Sequence, residues 1–579
     1  MTLFQLAELD SRSAAVEAAV EALATQGSIE ERGAIFTRAE VVAGLLDLCG
    51  YTERHDLTAL RLLEPSCGDG EFLLAAVARL LASCAHLHGP PSAHAARLAA
   101  CVRAVELHRP TLERTRERLR DLLRAASLTP EQATALVSVW TRQDDFLLTP
   151  IEGEFDVVVG NPPYVRQERI PSALLSEYRD RFKTLYDRAD LYVLFYERCL
   201  DLLRPQGVLG FICANRWVKN KYGGPLREKI SRDYNLDVYI DLAQVSAFHE
   251  EVDAYPAITV LRRAAPSVTR VLTPPDRAAP LAGLFEALLA PTPRPPAVQS
   301  VRGVGAGSDP WLVDAPEMIE TLRALESAFP TLEAAGARVG IGVATGADRV
   351  FIGEHCALPV EEERRLPLVM SGDLRDSRIE WSGQGVINPY LPDGTLAPLA
   401  DYPRFAAYMH EHAEALKRRH TAQKSPRGWY KTLDRIHPHL TSTPKLLIPD
   451  IKGEATVVLD EGRYYPHHNL YVVTSDTWDL RALQALLRSS VALSFVAAYC
   501  VKMSGGFLRF QAQYLRRVRV PSWSSLTPRV RSALVALSDV TDQGALDAVV
   551  AEAYGLSARE AGRIEGFASS ARVNRIQSA

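Results

Sequence analysis

At 579 residues the chain is long enough for two or more domains, each with its own core. A composition of 47% apolar and 23% charged residues is ordinary for a globular protein, and a formal net charge of −4 excludes a uniformly basic surface while allowing local basic patches. Eight cysteines without a C-x-x-C pair indicate neither a zinc ribbon nor a disulfide framework and suit reduced thiols in a cytoplasm.

Taken in order, residues 1–30 predict one amphipathic helix ending near Gly27, without the basic start of a signal peptide. Thr37 is placed to cap a second helix running through Leu48. A short strand then ends at Glu64 and passes through Pro65-Ser66-Cys67-Gly68-Asp69-Gly70 into a helix. Glycines at 68 and 70 let a backbone approach a ligand at a helix N-terminus. A plain strand-helix turn has the same look, and the third glycine of a dinucleotide fingerprint is missing. Val102–Glu106 is another short strand with an acid at its tip, where a nucleotide-binding doubly wound fold accepts from ribose hydroxyls. A third strand is expected to end near Asp145 and Phe146, an acceptor and a ring that suit an adenine, although each such acid alone is more often a solvated strand end.

The most specific stretch is Asp156-Val157-Val158-Val159-Gly160-Asn161-Pro162-Pro163-Tyr164. It reads as a buried strand stopped by two prolines, and an ordinary strand ending in a proline turn has the same look. The Asn161 amide oxygen and the Pro162 carbonyl can both accept hydrogens from an exocyclic NH2, while Tyr164 offers a flat ring beside them. Strands and helices alternate to about Arg263, predicting an α/β domain with a mostly parallel sheet over residues 31–263. No run of about 18 apolar residues marks a membrane span.

Residues 264–304, rich in Pro and Ala, are expected to be a linker with one short helix near 281–290. A second domain over 305–522 interleaves basic and aromatic residues: Lys417, Arg418, Arg419, Lys424, Arg427, Trp429, Tyr430 and Lys431, then Lys502, Phe507 and Arg509. Such patches suit phosphate contacts with a few base-edge readers, though solvated faces carry the same residues. Residues 523–579 read as small helices packing on that domain. His467-His468 lacks the spaced partners of a metal site, so no metal is expected.

With these residues assembled, the chain resembles the adenine-N6 DNA methyltransferases of the TaqI type, in the motif order that puts the recognition domain last. Asn161-Pro162-Pro163-Tyr164 after a Glu-Pro-Ser-Cys-Gly-Asp-Gly loop carries the resemblance. It implies a Rossmann-like doubly wound methyltransferase domain, a C-terminal α+β target-recognition domain, S-adenosyl-L-methionine as cofactor and double-stranded DNA as substrate. By that likeness Thr37, Glu64, Cys67, Gly68, Gly70, Glu106, Asp145, Phe146 and Asn161 would surround the cofactor. Asn161 to Tyr164 would carry catalysis, and Phe248 would be a second aromatic against a flipped base. Arg38 stands where the family usually has proline, which loosens the Thr37 contact. The resemblance implies a role in restriction-modification or phage defence, beside a cognate restriction enzyme or defence-system proteins. Two alternatives stay open: a partner-dependent methylase or recognition subunit of a phage-defence assembly, and a methyltransferase of RNA or protein glutamine.

Overall fold

The computed structural model describes residues 12–26, 37–242, 245, 248, 256–274, 280–291, 295, 297–305, 307–313, 318–375, 378–452, 456–500 and 508–573. It divides into two units, residues 1–316 and 317–579.

The first unit is built on a nine-stranded sheet, and the sequence shows why its centre is parallel. In Phe155–Gly160 (β4) every residue is buried, the near-continuous apolar run of a strand covered on both faces. It lies between Leu62–Glu64 (β1) and Leu203–Ala214 (β5), parallel to both. Beyond β1 come Val102–Glu106 (β2) and Thr141–Gln143 (β3), also parallel. On the far side are Asn235–Asp241 (β6) and Pro256–Arg262 (β7), then Val268–Leu272 (β8) and Val298–Arg302 (β9). The order is β3-β2-β1-β4-β5-β7-β6-β8-β9, with β7 antiparallel to both its neighbours. The chain winds outward from β1 through β2 and β3, then returns to β4, so the winding reverses between β1 and β4. In open α/β sheets ligands bind beyond the carboxyl ends of strands at such a reversal. Glu64 ends β1, and Asn161 follows β4.

The structure departs from three sequence-based expectations. Residues 264–304 are not a linker: β8 pairs with β6, and β9 with β8. Between them Leu281–Leu289 buries Leu281, Leu284, Phe285 and Leu288, one helical face, against the Ala39–Leu48 helix. The Phe285 ring lies flat on Gly44, where a Cβ would come within 2.3 Å of it. Second, residues 307–313, assigned above to the second domain, belong with the first: the Trp311 N–H donates to the Val218 carbonyl (3.0 Å), and Arg227 donates to the Ser308 carbonyl. Third, Thr37 does not cap the following helix, whose N-cap position is Arg38. The N-terminal helix expected within residues 1–30 is Ala14–Gln26.

The second unit is α+β. Ala337–Ile341, Leu470–Ser475, Lys445–Pro449 and Val458–Asp460 form one antiparallel sheet in that spatial order. Ile352–Glu354, Gln384–Ile387, Arg365–Val369 and Tyr465–Pro466 form another. Lys445 and Asp460, both fully buried, pair at 2.6 Å across the first sheet. The C-terminal helices Pro528–Ala536, Gln543–Tyr554 and Ala558–Val573 pack on Leu480–Arg488 and Ser490–Tyr499.

Candidate active site

The loop after β1 is shaped by its glycines. Gly68 and Gly70 have φ of +50° and +90°, a region open to glycine and strained for other residues. Gly70 stands at the N-cap of the Glu71–His88 helix, and a Cβ there would meet Thr115 at 2.9 Å. The neighbouring helix braces this loop: Thr115 Oγ1 donates to the Gly68 carbonyl (2.7 Å), and Arg114 pairs with Asp69 (2.7 Å). Cys67 contributes its backbone, donating N–H to the Val105 carbonyl, while burial pushes its thiol well above the ordinary cysteine value.

Three carboxylates converge here in three different states. Glu106 accepts from the Gly68 N–H (2.9 Å) with one oxygen and from the His108 N–H (2.8 Å) with the other, so it braces the loop as well as facing the cavity. Asp145 accepts from the Leu147 N–H (2.8 Å) and from the Tyr178 hydroxyl. Glu64 is 2% exposed, and its Oε2 has no hydrogen-bond partner among the described residues. Burial first, then the charges of Glu71 and Glu106, hold the Glu64 carboxyl well above the ordinary carboxylate range. A buried carboxyl without a cation is poised for a cationic ligand.

These groups line one cavity of about 200 Å³, shared with Asn161, Pro163, Leu174 and Phe195. Phe146 stacks on Phe195 at 5.1 Å and 29°, with the Arg198 guanidinium 4.9 Å over its ring. Tyr178 and Leu174 come from the Ser172–Arg181 helix, and Leu23 from the N-terminal helix. Leu23, Leu174 and Tyr178 are not among the candidates that the sequence marks. The segment after Tyr164 reads as polar and Arg-rich, and the apolar pair Leu174 and Tyr178, one helical turn apart, is the signal it contained.

At the mouth of β4, Asn161 Nδ2 donates to Thr37 Oγ1 (3.2 Å), and Ser66 Oγ donates to the Asn161 carbonyl (3.3 Å). Pro162 is buried; Tyr164 is half-buried, with its hydroxyl enclosed beside the Cys213 thiol. Phe248 is 5% exposed and forms a backbone bridge with Thr37. Its ring meets Tyr164 edge-on, at 6.4 Å and 87°. The structure therefore brings Thr37, Asn161, Tyr164 and Phe248 together, with the two rings perpendicular.

In the second unit the basic and aromatic candidates divide. Arg419 is committed to the fold, donating to the carbonyls of Leu416, Thr345, Trp429 and Lys431. Tyr430 is buried, its hydroxyl on the Ala397 carbonyl (3.0 Å). Arg509 pairs with Asp450, and Arg418 with Glu414. Lys424 and Arg427 are exposed, Lys431 is half-buried, and the Lys417 ammonium sits 5.0 Å over the Trp429 ring. Lys502 and Phe507 lie outside the described residues.

Residues 79–248 match the model of the Eco57I restriction-modification methylase, and residues 375–520 that of the TaqI-like C-terminal specificity domain. The chain is 50% identical over 555 residues to the type II methyltransferase M.PaeR7I of Pseudomonas aeruginosa, covering 95% of this chain and 96% of that protein. It belongs to the type II restriction-modification methyltransferases. Its likeness to M.XhoI of Xanthomonas vasicola is nearly as high, 49% over 537 residues, 92% of this chain and 98% of that one. Among solved structures, the methyltransferase is similar to the type IIL restriction-modification enzyme MmeI, solved in complex with DNA. The TM-score is 0.57 at 12% identity, over 99% of this chain and 78% of that one, a likeness of fold alone. Asn161 to Tyr164 and Phe248 fall inside the methylase match, whereas the Gly68 loop precedes it.

Proposed function

We propose that this methyltransferase uses S-adenosyl-L-methionine to methylate N6 of an adenine at a specific site in double-stranded DNA, in a cytoplasm and as the modification partner of a cognate restriction enzyme. The observation that carries the reading is the position of Asn161: its amide stands at the reversal between β1 and β4, on the wall of the cavity that holds the buried, cation-seeking Glu64.

The cavity's donor set fits the cofactor. Glu64 suits its cationic methionine end, Glu106 its ribose, and Asp145 with the Phe146–Phe195 stack its adenine. When bound, S-adenosylmethionine supplies an electrophilic methyl group on a sulfonium sulfur.

The rest is the work of this chain's own side chains. A target adenine cannot be reached inside a duplex, so it is flipped out, at a cost of a few kcal/mol. Tyr164 then stacks on one face of the base, and the Phe248 edge borders the same space. Asn161 Nδ2 donates to Thr37, and Oδ1 and the Pro162 carbonyl accept the two N6 hydrogens. Two acceptors on the amino group localise the nitrogen lone pair and stabilise the positive charge that develops as N6 is alkylated. The second unit, matching a specificity domain, selects the site; exposed Lys424 and Arg427, with Lys417 over Trp429, are its phosphate-facing candidates.

The test is methyl transfer by the purified chain to unmethylated DNA, with mass spectrometry of the digested nucleosides. N6-methyladenine, lost in Asn161→Ala, is the expected product; methylated cytosine, or activity that survives the substitution, overturns the reading.

A further inference from the structure

In the sequence, His467 and His468 are neighbours without spaced partners. The fold supplies the third. Asp348, far earlier in the chain, brings its carboxylate to the pair, and one donor atom from each of Asp348, His467 and His468 lies within 4.8 Å of the other two.

His467 is not a surface histidine. It is 4% exposed, and neither ring nitrogen has a hydrogen-bond partner among the described residues. The Asp348 Oδ2 atom is 3.7 Å from Nε2, beyond hydrogen-bonding distance. Buried polar atoms are rarely left so. The two imidazole centroids are only 4.0 Å apart, an arrangement that two imidazolium cations would oppose. Asn469 donates to Ser371 Oγ (2.9 Å), and its buried Oδ1 has no partner among the described residues. That oxygen suits the ring N–H a ligating histidine presents on its other side.

We propose that Asp348, His467 and His468 form a binding site for a first-row divalent transition-metal ion, Zn2+ by its donor set. Two imidazoles and a carboxylate suit Zn2+ and are poor ligands for Mg2+ or Ca2+, which take oxygen. Tetrahedral Zn2+ with ligands at about 2.0–2.1 Å sets donor atoms about 3.3 Å apart. His467 and Asp348 are near that separation already, and exposed Asp348 and His468 swing in to close it, leaving one position for water.

The ion would pin a loop that is already tied down on both sides. The Val343 N–H donates to the Pro466 carbonyl (2.9 Å), and the His468 N–H to the Val343 carbonyl (3.0 Å). Gly342 permits this approach, since a Cβ there would meet the His467 carbonyl oxygen at 2.2 Å. On its other side the loop's Ala344 N–H donates to the Asp434 carboxylate (3.0 Å), and its Thr345 carbonyl accepts from the Leu433 N–H (2.9 Å). Metal binding thus stiffens the segment that continues from Arg427 and Trp429.

The experiment uses the untagged full chain, stripped with EDTA and dialysed, and titrated with ZnCl2 by calorimetry and with CoCl2 by visible absorption. One equivalent of each ion, the absorption bands of tetrahedral Co2+ and a rise in thermal midpoint with Zn2+ are expected. Asp348→Asn and His468→Ala change exposed side chains and leave the fold in place; each weakens binding by more than about 100-fold, beyond the loss typical of outer-shell changes. Sub-stoichiometric or multi-site uptake, or binding that survives both substitutions, overturns the proposal.

Discussion

The Asn161 amide nitrogen donates to the Thr37 hydroxyl at 3.2 Å, across 124 residues of sequence. Thr37 is 3% exposed and is bridged through its backbone to Phe248, so one buried threonine joins the amide to the aromatic residue that borders the same space. In this arrangement the amide turns Nδ2, not Oδ1, toward the threonine.

Thr37→Val removes the acceptor while keeping the shape. Loss of one hydrogen bond of this kind is worth about 0.5–1.5 kcal/mol, so the methyl-transfer rate falls about 2- to 10-fold. Cofactor affinity is expected to fall less than the rate, because Thr37 holds Asn161 as well as lining the cavity. Single-turnover kinetics with equilibrium cofactor binding checks both halves.

Glu64 gives a pH dependence of defined sign. Its carboxyl is raised by burial, then by Glu71 and Glu106, so between its unfolded and folded pKa the folded state holds the extra proton. Stability of the ligand-free protein from this group is therefore present below the unfolded pKa and lost as pH rises through the folded value. A cationic ligand draws that proton off, so cofactor affinity rises with pH across the same window. Glu64→Gln flattens the affinity profile, weakens binding and removes the loss of stability at higher pH. Calorimetry in buffers of different ionisation enthalpy reads the released proton directly.

Tyr178→Phe deletes the hydroxyl that donates to buried Asp145. The carboxylate keeps the Leu147 N–H but loses its side-chain donor, and an unsatisfied buried acceptor costs about 1–3 kcal/mol. The ligand-free protein should unfold at lower temperature by scanning calorimetry, and saturating cofactor, which offers Asp145 a new donor, should recover part of the difference.

Arginines of the second unit should part company. Arg427→Ala, at an exposed side chain, weakens DNA binding about equally for all sequences and reduces the slope of log K against log salt by about 1. Arg419→Ala removes donors to four carbonyls and lowers the thermal midpoint instead. Fluorescence anisotropy over a salt series, beside thermal melts, separates the two.

What was legible in the sequence was local. The run from Asp156 to Tyr164 and the turn from Glu64 to Gly70 each contain strand, turn and acceptor within a few residues, and both lie where that pattern implies. Glu106 was legible as an acid on a strand tip, though not as a brace for the Gly68 N–H. Less legible were features that depend on distant chain. Val268–Leu272 and Val298–Arg302 are short and flanked by prolines, so the 264–304 stretch reads as linker, while their pairing with the sheet is decided by β6. Arg419 reads like any basic residue until the fold shows four carbonyls around it. Asp348 cannot be matched to His467 by spacing at all.

Asn161 is proposed to direct site-specific methylation of adenine N6. The direct test is to express the chain, and its Asn161→Ala form, in a host without adenine methylation and to map N6-methyladenine by long-read sequencing. One sequence motif modified nearly to completion with the wild type and absent with the variant is the predicted result. An unmodified genome beside a folded, cofactor-binding protein, or a motif still modified by the variant, would contradict it.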